Sequence, residues 1–88
     1  MSAARIDYKA SVAADLKRLD PPSALRVPTR VEKTLGQAGG TGEPLTDEFA
    51  GLYRLRVGDY RVIYARTVEG YLVLRIGHRR DVYERGRP

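Results

Sequence analysis

Residues 52–64 read Leu52-Tyr53-Arg54-Leu55-Arg56-Val57-Gly58-Asp59-Tyr60-Arg61-Val62-Ile63-Tyr64. Two runs of β-branched, aromatic and long aliphatic side chains flank a Gly-Asp pair. Such runs suit a pleated surface, and glycine with an acid between them is turn chemistry, so the stretch predicts a β-hairpin. Downstream, Glu69-Gly70 makes a second turn into Tyr71–Gly77. The C-terminal half is therefore expected to be a three-strand meander: Leu52–Val57, Tyr60–Arg66 and Tyr71–Gly77.

Side chains alternate across a strand with a period of two. One face then collects Tyr53, Leu55 and Val57, then Tyr60, Val62 and Tyr64, then Leu72, Leu74 and Ile76. These are expected to form the core. The opposite face receives Arg54, Arg56, Arg61 and Arg75. The nearest acids, Asp59 and Glu69, lie at the turns, so no carboxylate on that face is expected to neutralise the arginines. Like charges on neighbouring strands cost stability unless an anion sits among them. The face is thus read as an anion-binding surface, against the plainer alternative of a solvated basic face. Arg56 and Arg75 are read as anion contacts on this face.

Upstream, Arg5-Ile6-Asp7-Tyr8-Lys9 alternates and suits a first strand. Ser11 is positioned to cap a helix carrying Val12, Leu16 and Leu19 on one stripe. Asp20-Pro21-Pro22 closes that helix and opens a second, whose buried face is Ala24, Val27, Val31 and Leu35. Pro28 within it predicts a kink, or a helix that begins near Pro28. Gly36 to Thr46 holds four glycines and reads as a flexible bridge. It lacks the Gly-Lys-Ser/Thr and the following helix of a phosphate-cradling loop. The fold class is α+β: an N-terminal strand and a two-helix hairpin packed on one face of an antiparallel sheet, all within a single domain spanning 1–88.

Composition narrows the chemistry. The chain has 88 residues, 16 Lys+Arg and 11 Asp+Glu, for a formal charge of +5. Residues 1–50 hold seven of each sign; residues 51–88 hold nine arginines and four acids, and so carry all of the excess. Charge gathered in one half points to a polyanionic partner. Absence of cysteine excludes a thiol nucleophile or thiolate metal site, and His78 is the single histidine. No metal and no cofactor is expected. No apolar run approaches the roughly 18 residues of a membrane span, so a cytoplasmic protein without membrane contact is expected.

The run Leu52–Tyr64, followed by Ile76-Gly77-His78-Arg79-Arg80-Asp81-Val82-Tyr83 and preceded by Gly42-Glu43-Pro44-Leu45 and Glu48-Phe49-Ala50-Gly51, closely resembles the RelE/ParE superfamily of bacterial toxins. The resemblance spans essentially the whole chain and is read as RelE-like. It implies the toxin of a type II toxin–antitoxin pair, with a RelB-like antitoxin that wraps it. RelE-like members cleave messenger RNA at the ribosomal A site: the ribose 2′-OH attacks the adjacent phosphodiester and leaves a 2′,3′-cyclic phosphate. ParE-like members share the fold but target DNA gyrase and cut no RNA. The resemblance places catalytic roles on Arg54, Arg61, Arg79 and Tyr83. Arg80 is a close second to Arg79, and the resemblance implies that Arg80, with Arg56 and Arg75, holds RNA phosphates. A basic residue found in many relatives two positions before Arg54 is here Leu52.

The chemistry suits these residues. Transesterification builds charge on a pentacoordinate phosphorane, and a planar guanidinium offers paired donors to its oxygens. Arginine does not serve as general base, because it stays protonated. His78 is the side chain suited to titrate near neutrality. It is a catalytic candidate, with a structural role as the alternative. Tyr83 is placed to donate a proton or stack on a base, or else to pack the C-terminal tail.

Overall fold

The computed structural model describes residues 4–38 and 42–82. In chain order it forms β1 (Arg5–Tyr8), α1 (Val12–Lys17), α2 (Pro21–Ala38), β2 (Glu43–Pro44), a 3₁₀ turn (Asp47–Phe49), β3 (Leu52–Val57), β4 (Tyr60–Arg66) and β5 (Gly70–His78). The five strands make one sheet in the order β1-β5-β4-β3-β2. The α+β architecture and the β3–β4–β5 meander are as expected. β1, however, joins β5 in parallel, with Arg5 opposite Gly70 and Tyr8 opposite Val73, so the sheet is mixed.

The β3–β4 hairpin turns on Gly58, whose positive φ of 60° is one that glycine adopts at no steric cost. Its register sets Leu55 opposite Val62 and Tyr53 opposite Tyr64. Val27, Val31 and Leu35 of α2 are fully buried against these strands together with Val12 of α1. Three tyrosines cross the same face. Tyr53 stacks on Tyr64 at 5.5 Å between centroids, and Tyr64 meets Tyr71 edge-on at 5.5 Å. Tyr8 ties β1 to α2 by donating to Glu32 at 3.0 Å. Burial foremost, then Glu32, pushes its hydroxyl well above the ordinary range, so it remains a donor.

Several expectations are corrected. Leu72 and Leu74 are not the core residues of β5; Tyr71, Val73 and Ile76 are. The β4–β5 ladder pairs Tyr64 with Val73 and Ile63 with Arg75, leaving Leu74 as an unopposed extra residue. A bulge of this kind resets the alternation. Before it the odd-numbered residues face the helices; after it, Ile76 does. The assignments of Ile76 to the core and Arg75 to the far face survive only because they lie beyond the bulge.

The helices differ as well. Ser11 makes no side-chain cap, and α1 ends at Lys17, short of Leu19. Asp20 does cap α2, its Oδ2 accepting the Ser23 amide at 3.2 Å. α2 runs from Pro21 straight through Pro28, which removes one amide from the ladder without ending the helix. The segment read as a flexible bridge contains β2, a two-residue strand paired with Tyr53 and Arg54. Among the described residues no helix is long and apolar enough to cross a membrane.

Candidate functional site

The strand registers put Arg54, Arg56, Arg61 and Arg75 on the sheet face away from the helices, as alternation predicts. At their centre lies Ile63, fully buried yet outside the helix-side core. It stands directly opposite Arg54 on one side and Arg75 on the other. Aliphatic stems of long cationic side chains cover apolar surface while their heads stay polar, which accounts for this burial.

The expectation that no acid shares this face is overturned. Glu43 of β2 stands opposite Arg54, and its Oε1 lies 3.2 Å from Arg54 Nη2 and 3.2 Å from Arg56 Nε. Sequence reasoning missed Glu43 because a two-residue strand carries no periodic signal. The pairing solves a local problem. Arg56 and Arg61 are directly opposed across β3 and β4, an unfavourable like-charge pair. Glu43 neutralises one, while the other turns back on the hairpin, where Arg61 Nη1 donates to Gly58 O and Tyr60 O at 2.9 Å each. Arg54 is the more enclosed of the Glu43 partners, its side chain 24% exposed against 59% for Arg56.

Gly42, just before β2, sets how closely this strand approaches. A Cβ there would stand 2.5 Å from the Tyr64 hydroxyl and 2.7 Å from Arg54 O. The Gly42 amide instead donates to that hydroxyl at 3.2 Å.

Arg79 and Arg80 are exposed in the turn that follows β5. That turn is held firmly. The Arg79 amide donates to Asp59 O at 2.8 Å, and the Asp81 and Val82 amides to His78 O at 2.8 and 3.0 Å. Val82 is fully buried, lying over Gly77. His78 is not brought onto the arginine face. It pairs with Tyr60 and shares the parity of Ile76, so its ring lies on the helix side, edge-on to Tyr60 at 5.8 Å. Tyr83 lies outside the described residues.

A buried acid supports the end of β5. β1 accompanies β5 only as far as Val73. Beyond it the Ile76 amide donates to Asp15 Oδ2 of α1 at 3.0 Å, with Arg18 Nη1 3.6 Å from the other carboxylate oxygen. Two cavities flank this region. One, about 150 Å³, includes Asp15, Arg18, Tyr60, His78 and Asp81 in its lining. The other is a groove of about 710 Å³ between α2 and the β3–β4 turn, lined by Pro22, Leu25 and Val57 and rimmed by Arg26, Arg30 and Lys33. Leu25 is 75% exposed there. Among the described residues no group of three or more histidine or acidic side chains is placed to hold a metal ion.

A family model described as the ParE toxin of the type II toxin–antitoxin system parDE matches residues 6–83. The chain belongs to this toxin family. Solved structures agree on the fold. A chain of the RelBE2 toxin–antitoxin complex from Mycobacterium tuberculosis superposes with a TM-score of 0.72 at 24% identity, covering 86% of this toxin and 98% of that chain. One from the RelB–RelE antitoxin–toxin complex of Methanococcus jannaschii gives 0.67 at 19%, covering 92% and 99%. The isolated RelE toxin of E. coli gives 0.66 at 14%, covering 86% and 84%. A comparison with curated protein sequences finds no match. The toxin's helix hairpin, meander and arginine face therefore sit on a RelE/ParE-type scaffold.

Proposed function

We propose that this toxin cleaves messenger RNA on the ribosome. The observation that supports the reading is the arginine face: four guanidinium groups on one sheet surface, with Arg79 and Arg80 held in a docked turn at the end of β5. A scissile phosphate enters by displacing Glu43 from Arg54. Arg54, Arg61 and Arg79 then donate to the non-bridging oxygens as the 2′-OH attacks and the 5′-oxygen leaves. The 2′-OH gives up its proton to solvent water as the P–O2′ bond forms; the departing 5′-oxygen gains one as the P–O5′ bond breaks. Tyr83 is the proposed proton donor. Arg56, Arg75 and Arg80 take flanking phosphates. Positioned donors of this kind are worth on the order of 3 kcal/mol each in the transition state.

A second reading has its own support. The matching family is named for ParE, and Leu52 stands where many RNA-cleaving relatives carry a basic residue. In that reading the face binds DNA gyrase and no bond is cut. Two assays on the purified toxin separate them. Cleavage of message on programmed ribosomes, with gyrase supercoiling intact, supports the nuclease. Blocked supercoiling with uncut message supports the inhibitor.

An antitoxin is the proposed partner in either case, as membership of a type II pair implies. The α2 groove suits one of its segments: an apolar floor around Leu25 and a rim of three cations fit an amphipathic acidic stretch.

A further inference from the structure

Four separate contacts converge on the residues around His78, and none of them puts its ring among the arginines. We propose that His78 is a positioning residue. Its neutral imidazole takes the Arg80 amide and holds the turn bearing Arg79 and Arg80 on the end of the sheet. The inference rests on the reading that those two arginines engage RNA phosphates.

The hydrogen bond fixes the ring's state. The Arg80 amide lies 3.2 Å from His78 Nδ1. A backbone N–H only donates, so Nδ1 must offer its lone pair, and the imidazole's one proton resides on Nε2. Residue 78 thereby grips its own turn three times, once through Nδ1 and twice through its carbonyl. The ring is seated from behind by Tyr60, whose hydroxyl donates to Asp20 Oδ1 at 3.3 Å. Asp20 in turn is fixed as the N-cap of α2. Tyr60 also belongs to the hairpin end that holds the other arginines: its carbonyl accepts from Arg61, and the neighbouring Asp59 carbonyl from the Arg79 amide. A rigid helix cap, a tyrosine and a histidine thus register the Arg79–Arg80 turn against Arg61.

A second proton on the imidazole goes to Nδ1, where the Arg80 N–H points, and the contact is lost. The charged and titratable groups that line the same cavity on the helix side are Asp15 and Arg18 from the α1 side, Tyr60 from β4 and Asp81 from the turn, with Asp20 one hydrogen bond behind Tyr60. Asp15 is already engaged by the Ile76 amide and Arg18, so it is not free to replace Nδ1 as the acceptor.

The test pairs His78→Leu with His78→Asn in the full chain. Asparagine accepts from the amide two residues on, as in an Asx-turn, and does not titrate. Amide exchange by NMR at Arg80 is read first. His78→Leu is expected to speed it about tenfold, and His78→Asn to restore it. Message cleavage on ribosomes is read second: kcat falls about tenfold in His78→Leu with KM little changed, and returns in His78→Asn. An Arg80 amide indifferent to both variants overturns the proposal. So does a His78→Asn as inactive as His78→Leu, which would make the imidazole itself a participant in the chemistry. Should Arg80 respond as expected in a toxin that cuts no RNA, positioning stands and the nuclease reading falls.

Discussion

At the scale of single residues, the carboxylates decide most of what the arginines can do. Glu43 occupies with one oxygen the position between Arg54 and Arg56 that a phosphate oxygen would take. Glu43→Gln removes the competitor and keeps the shape, so it should tighten binding to a short single-stranded RNA at low salt, measured by fluorescence anisotropy. Asp15 is buried for a different reason, as the acceptor for an amide that β1 does not reach. Asp15→Ala orphans that amide and should cost about 1–3 kcal/mol in a urea melt, with Asp15→Asn closer to the parent. Asp20 is an exposed cap whose carboxyl is held below its usual range, chiefly by its hydrogen bond with the Ser23 side chain. A carboxyl depressed on folding adds stability above its unfolded pKa and loses it as the pH falls through the folded value. The unmodified toxin should therefore lose more stability than Asp20→Asn between about pH 5 and about pH 2.

At the scale of elements, β5 carries the sharpest test of the register. The bulge at Leu74 puts Val73 wholly inside and leaves Leu74 half-buried. Val73→Ala should cost about 2 kcal/mol, and Leu74→Ala, though it removes more atoms, less than half as much. Unbroken alternation would reverse that order. The comparison also shows where the sequence was readable. β3 and β4 were legible because Gly58-Asp59 marks their turn and nothing interrupts their period. In β5 the interruption is a leucine, chemically indistinguishable from its neighbours, so the phase shift left no mark. β2 was invisible because two residues are too few for a pattern, and with it went Glu43. Asp15 carries no mark in the sequence, because its burial depends on where β1 stops, a tertiary fact. The arginine face was recoverable because three of its four members lie before the bulge and the fourth lies where the phase has been restored.

At the scale of the whole molecule, charge and shape are divided between two surfaces. The meander's far face and the turn after β5 hold the arginines, while α2 offers an apolar groove with a basic rim on the other side. The division predicts that partner binding and target binding separate genetically. Leu25→Glu should weaken the complex with the antitoxin by about tenfold or more in a titration, since it puts a charge on the apolar floor and opposes an acidic segment. Toxicity in cells lacking the antitoxin should be unchanged. Loss of toxicity with the complex intact would assign the groove to the target instead. The central claim is that the arginine face holds a scissile phosphate of ribosome-bound message. Mapping the 5′ ends of ribosome-associated transcripts after induction, for the toxin and for Arg61→Ala, tests it most directly. The account predicts new 5′-hydroxyl ends within coding regions that disappear in Arg61→Ala. Growth arrest with no new ends would contradict it.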